Sequence, residues 1–153
     1  VVKIAYKLEV TAIMTEKTFR LFDHTADLGV EVFGKTEEEL FANTALALIS
    51  LTTDPARIEA AQKKAITVEG ADSADLYVNF LREVLYLING KGFLPVEVII
   101  EEMQPQRLRA TIRGDRYDVK KHRIHKEIKA VTYHQAAVEQ TPTGWKGRVI
   151  FDV

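Results

Sequence analysis

Within FDHTADLGV, residues 22–30, the chain places Asp23, His24, Thr25 and Asp27 inside five positions. Carboxylates crowded into a loop are what calcium, magnesium and manganese prefer. The same residues suit an Asx or ST turn, whose side chains bond nearby backbone amides and feed the next strand. Both readings stand on these residues alone. A cation needs more oxygen ligands than one loop supplies, and the far end of the sequence is the candidate second source. There VIFDV finishes on Asp152 and Val153. Strand alternation sets Val149, Phe151 and Val153 on one face and Arg148, Ile150 and Asp152 on the other. A chain that stops here offers the Asp152 carboxylate, the Val153 carbonyl oxygen and a terminal carboxylate in a small volume. Burying such charges beside Asp27 would be costly without a cation. The plain alternative is a solvated terminal aspartate.

Other chemistry is sparse. His122 and His125 in KKHRIH have helix-compatible spacing, but their surroundings are basic and no third ligand is near, which argues against zinc. Arg116, Lys120, Lys121, Arg123, Lys126 and Lys129 make this the one concentrated basic stretch, expected as a solvated loop or one that meets phosphate or an acidic protein surface. It lacks the aromatic ladder of a single-strand nucleic-acid platform. In KAVTYH, Lys129, Val131 and Tyr133 alternate with Ala130, Thr132 and His134, and a lone His134 reads first as a hydrogen-bonded structural residue. There is no nucleophile elbow, no glycine-rich phosphate loop and no cysteine. That inventory is poor for a self-sufficient enzyme.

The elements that must position these residues follow from periodicity. Ile4, Tyr6, Leu8 and Val10 alternate with polar residues as a strand would, and Leu28, Val30 and Val32 do so up to Gly34. TEEELFANTALALISL predicts a helix to about Ser50, with Thr36 and Glu39 as a capping box and Leu40, Phe41, Thr44, Ala45, Leu48 and Ile49 as its stripe. AITVEG predicts a strand. SADLYVNFLREVLYLING predicts a second helix, capped by Asp72 or Ser73, ended by Gly90, and buried through Leu76, Phe80, Leu81, Val84, Leu85 and Ile88. Two hairpins should follow, one around QPQ and one around TPTG. The expected class is α+β: two helices packed on one face of a mainly antiparallel sheet, with room for one mixed pairing.

Composition bounds the rest. The 153 residues suit one domain, and a net charge of −1 excludes a molecule that is an electrostatic nucleic-acid binder as a whole. The absence of cysteine excludes disulfides and thiolate zinc, and fits a reducing cytoplasm. No apolar run reaches the roughly 18–20 residues of a membrane helix, and the opening VVKIAYKLEVTAIM has no continuous apolar core of a signal peptide. Met14 reads as a candidate start. Residues 1–13 would then be a strand-like leader, either an upstream extension or an expression remnant, before a single domain over 14–153.

FDHTADLGVEVFGKTEEELFANTALAL, followed by EIKAVTYH and the closing FDV, resembles the archease family in residues and in the order of elements. The likeness runs from about Phe19 to Val153. It implies a small α+β accessory protein of tRNA splicing, not itself an enzyme. Its partner would be the GTP-dependent RNA ligase that joins a 2′,3′-cyclic phosphate or 3′-phosphate end to a 5′-hydroxyl end. The accessory protein would promote guanylylation of that ligase's active-site histidine and so its multiple turnover. An alternative implied role is a protein chaperone that modulates a tRNA methyltransferase or another tRNA-processing enzyme, with tRNA itself as a further candidate partner. The resemblance further implies a divalent cation, calcium before magnesium or manganese, held by the Asp27 and Asp152 carboxylates and a backbone oxygen of Val153. His24 and Lys129 would lie near this tip as partner contacts, with Tyr133 and His134 in support. No membrane is implied.

Overall fold

The computed structural model describes residues 5–7, 18–24 and 27–153, with the backbone alone at Lys7, Asp23 and His24. Thr25, and most of the 1–13 leader, lie outside the described residues. Of the strand expected in that leader, Ala5–Lys7 forms β1.

Helix α1, Glu37–Thr52, begins where the capping residues predict. The Thr36 hydroxyl accepts from the Glu39 amide at 3.1 Å, while the Glu39 carboxylate reaches back to the Lys35 amide at 3.2 Å. It runs two residues past Ser50, and the Thr53 amide closes it on the Ile49 carbonyl. The expected stripe is buried, but so are Ala42, Leu46 and Ala47 on the remaining sides. A helix apolar nearly all round belongs in the middle of a domain. Helix α2, Ser73–Lys91, is capped by Asp72, whose carboxylate accepts from the Asp75 amide at 2.9 Å. Its end corrects the sequence expectation: Gly92, at φ 61°, takes the left-handed position that favours glycine, and Gly90 is still helical. At the crossing of the helices the Thr44 and Tyr77 hydroxyls lie 2.6 Å apart, fully buried. Burial pushes the Tyr77 hydroxyl far above the usual phenol range.

The strands confirm the α+β class but divide between two sheets. The first has the order β1-β5-β6-β4, with β4 Gln62–Glu69, β5 Phe93–Gln104 and β6 Arg107–Arg116. The second has the order β2-β3-β8-β7, with β2 Phe19–His24, β3 Asp27–Gly34, β7 Ala130–Thr141 and β8 Gly144–Asp152. Every pairing among the described residues is antiparallel, so the mixed pairing left open by the sequence is not seen. Both expected hairpins form, with two-residue turns between Gln104 and Arg107 and between Thr141 and Gly144. Helix α1 packs against β3, β5 and β8, and α2 against β4, β5 and β7. Each helix therefore touches both sheets rather than one face of a single sheet, which leaves α1 only a narrow polar strip of Glu39, Asn43 and Ser50. Among the described residues no helix is long and apolar enough to cross a membrane.

Candidate functional site

The register of the second sheet joins the two ends of the sequence. Asp27 on β3 lies directly opposite Asp152 on β8, and the next pairs are Leu28 with Phe151 and Gly29 with Ile150. On the other flank of β8, Asp152 faces Ala130, and across β2 the backbone of His24 is opposite that of Asp27. Opposed residues in an antiparallel pair share a face. Val30, Val149, Phe151 and Val131 supply the inner face and are buried in the core. Asp27, Asp152 and Ala130 form a row on the outer face, with Asp27 half-buried and Asp152 exposed. Val153 falls on the inner side, where its side chain packs against the core as the alternation predicts.

The neighbouring rows fix this edge. The Phe22 ring lies over Gly29, where any Cβ would overlap it, and Ile150, opposite Gly29, is fully buried. The Arg148 guanidinium stacks over that ring at 3.9 Å from its centroid. The Lys129 amide donates to the Asp152 carbonyl at 2.8 Å, and its side chain is exposed. Lys129 and Asp152, distant in sequence, are thereby tied by their backbones.

Two carboxylates in one row are oxygen donors of the kind a hard cation takes. Side chains directly opposite on antiparallel strands have Cβ atoms about 4.5–5.5 Å apart, and like charges so placed repel. A divalent ion shared by two carboxylates removes that repulsion. Among the described residues no group of three or more His, Cys, Asp or Glu surrounds a common point. The two carboxylates would thus need main-chain oxygen and water to reach the roughly six to eight ligands of calcium.

The remaining candidates are placed differently. Between Thr132 and Ala137 the β7–β8 register slips, and residues 133–136 bulge away from β8. Gln135 sits there at φ 57°, an uncommon conformation for a residue with a side chain, and accepts from the Arg148 guanidinium at 2.7 Å. Tyr133 leaves the sheet for α2, where its hydroxyl is 2.9 Å from both the Asp75 and Asn79 side-chain oxygens. The Arg82 guanidinium stacks over its ring at 4.2 Å and donates to the Val131 carbonyl at 3.1 Å. The hydrogen bond to Asp75 raises the Tyr133 hydroxyl above the usual phenol range. The Ala71 amide, then Tyr133, lower the Asp75 carboxyl below the usual carboxylate range. Tyr133 is thus a strut between β7 and α2, and His134 lies exposed in the bulge beside it. Nothing in the sequence marked Asp75, Asn79 or Arg82 as its partners, because they sit on the polar face of a helix.

His122 corrects the expectation of a solvated loop. It is 3% exposed, its Nδ1 accepts from the Asp118 amide at 3.0 Å, and its Nε2 lies 3.1 Å from the Arg57 carbonyl. Because Nδ1 accepts, Nε2 carries the hydrogen and donates. Asp115, nearly buried, lies 3.9 Å from Nε2 and 3.6 Å from the Lys121 ammonium. The histidine is a structural anchor for the loop.

With this geometry in place, comparison with known proteins defines the class. The family model described as the Archease protein family matches residues 19–153. The chain is 36% identical over 141 residues to protein archease of Methanosarcina barkeri, covering 90% of this chain and 97% of that protein. It is 38% identical over 136 residues to protein archease of Pyrococcus furiosus, covering 86% and 96%. The solution structure of Methanobacterium thermoautotrophicum protein 1598 superposes with a TM-score of 0.76 at 32% identity, over 90% of this chain and 99% of that one. A crystal structure from Thermotoga maritima, described as an archease and possible chaperone, gives 0.57 at 25% identity, over 86% and 94%. The chain belongs to the archease family.

Proposed function

We propose that this protein activates the GTP-dependent RNA ligase of tRNA splicing, in the cytoplasm, by promoting guanylylation of the ligase and hence its multiple turnover. The observation that carries the reading is the direct opposition of Asp27 and Asp152 across β3 and β8, which brings the two motif ends into one row. Asp27 and Asp152 would hold a divalent cation, calcium in the first instance, through their carboxylates, with a backbone oxygen of Val153 beside them. When bound, that ion supplies positive charge with coordination positions left for a partner's phosphate or carboxylate. The chain's own residues do the positioning. Phe151 and Val149 root β8 in the core, and the amide of the exposed Lys129 holds the Asp152 carbonyl. A rigid edge of this kind favours one state of a partner's pocket over another only through its differential contacts with the two.

The decisive experiment is multiple-turnover RNA joining by the cognate ligase with GTP, comparing no addition, the wild type and Asp27→Ala. Turnover should rise at least tenfold with the wild type and return to the unaided level with the variant, while circular dichroism shows the variant folded. An equal rise with both would keep the partner and remove the site. No rise with either would remove the ligase reading. The description of the Thermotoga relative as a possible chaperone would then favour a role on another tRNA-processing enzyme, such as a methyltransferase.

A further inference from the structure

Residues 116–129, the last residue of β6 and the loop that joins it to β7, hold six of the chain's 21 lysines and arginines but two of its 22 aspartates and glutamates, leaving 15 against 20 elsewhere. A nearly neutral chain is therefore locally basic here and acidic over the remainder. Lys121 pairs with Asp115 at 3.6 Å. Arg116, Lys120, Arg123, Lys126 and Lys129 are exposed, and their side chains form no ion pair or hydrogen bond with a described residue. Apolar side chains stand among them: Val119 is 77% exposed and Ile124 40%, with Tyr86 of α2 close by in the fold at 52%.

Beside this loop, two grooves run along the C-terminal half of α2 and meet at Asn89, whose amide donates to the Ile128 carbonyl at 2.9 Å. One, of about 430 Å³, lies over Ile88 and Leu94 between Tyr117 and Ile124. The other, of about 530 Å³, is walled by Arg82, Tyr86 and Lys129 and reaches Ala130. Ala130 is the residue opposite Asp152, so the surface is continuous with the candidate cation row. The loop is also held in place. His122 ties it to the Arg57 carbonyl, the Thr53 hydroxyl donates to the Arg123 carbonyl at 2.6 Å, and the His125 amide donates to the Thr52 carbonyl at 2.8 Å. Binding through a surface already ordered costs little conformational entropy.

We propose that this anchored, basic, apolar-studded surface is where the protein docks on an acidic face of its partner enzyme. Val119 and Ile124 are the apolar anchors, and Lys120, Arg123 and Lys126 the complementary charges. The inference rests on the ligase reading above and extends it from the cation row to the surface that holds the partner there. An RNA ligand is the weaker fit. Single strands are gripped by open aromatic faces, whereas Tyr117 stacks on His122 at 6.2 Å and the Lys91 ammonium covers Tyr86 at 5.7 Å. Exposed aliphatic side chains within a basic rim instead match the anatomy of a protein interface.

The test is calorimetric titration of the full chain against the purified ligase at two salt concentrations. Lys120→Glu with Arg123→Glu should weaken binding at least tenfold at low salt, with the gap narrowing as salt rises. Val119→Ser should weaken it severalfold at both. Lys63→Glu with Arg107→Glu, exposed positions on β4 and β6, should bind as the wild type does. Unfolding curves check that each variant is folded. If the wild type binds and the loop variants bind equally well, the surface is wrong while the ligase reading stands. Equal weakening by the control pair also overturns the surface, in favour of diffuse attraction. A wild type that does not bind the ligase overturns both. Loop variants that lose affinity only for a single-stranded oligoribonucleotide reassign the surface to RNA.

Discussion

Asp27 and Glu31 share one strand and one face of the second sheet, yet they meet different residues across it. Glu31 is 6% exposed and lies between Arg20 on β2 and Arg148 on β8 in the register. Its carboxylate accepts from the Arg20 Nε at 3.0 Å, with the Arg20 Nη2 at 2.9 Å and the Lys146 ammonium at 3.4 Å. Burial alone would raise the Glu31 carboxyl, but Arg20 and Lys146 outweigh it and hold the group below the usual carboxylate range. Asp27, four residues away, faces another carboxylate. One row is closed by its own cations and serves stability. The other sets a second carboxylate opposite Asp27 at the edge of the sheet, and like charges directly opposed repel.

Breaking what the rows have in common should give the largest effect. Phe151 is fully buried beneath the edge, between Ile150 and Asp152 in sequence. Phe151→Ala should cost about 3–5 kcal/mol, read as a fall in the denaturation midpoint, and should impair both rows together. If stability fell and ligase activation survived intact, the candidate site would not depend on how β8 is seated.

A change at Glu31 sharpens the contrast with a smaller effect. Glu31→Gln should lose about 1–2 kcal/mol at neutral pH, because charge-assisted bonds become weaker while the shape is kept. The sign follows from the lowered carboxyl. Its stabilisation is present above the ordinary carboxylate pKa and is lost as pH falls through the folded-state value. The wild-type and variant stabilities should therefore converge below about pH 4. Parallel curves across that range would mean that the pairing contributes nothing. Activation of the ligase should be unchanged.

The smallest effect has the opposite sign. With a chelator present, Asp152→Asn should raise stability by about 0.2–1 kcal/mol, because the cross-strand repulsion is removed. Added calcium should reverse the order, stabilising the wild type and not the variant. A variant less stable than the wild type in chelator would place Asp152 in the same class as Glu31 and undo the comparison.

Much of this was legible locally. Capping pairs and periodicity located both helices, and alternation assigned Val149, Phe151 and Val153 to the core face and Asp152 to the other, because these patterns depend only on near neighbours along the chain. The motifs carrying the family resemblance likewise sit in short segments, and the family match over residues 19–153 agrees with them. Other features were invisible for a common reason. Gly92 rather than Gly90 ends α2, because it is Gly92 that takes the left-handed conformation from which its amide donates to the Leu87 and Ile88 carbonyls. His122 looked solvated among lysines, but its partners are the Asp118 amide and the Arg57 carbonyl, 65 residues away in sequence. Tyr133 gave no sign of its Asp75, Asn79 and Arg82 partners on α2.

By itself, then, the sequence determined the element types, the faces of each strand, and the two acidic ends that a cation could join. Local hydrogen bonding, side-chain alternation and charge are properties of a few adjacent residues. Only the tertiary structure decided that the strands form two sheets with α1 buried between them, and that β3 and β8 pair with Asp27 against Asp152. Register is a relation between distant segments, set by which hydrophobic faces can be buried together.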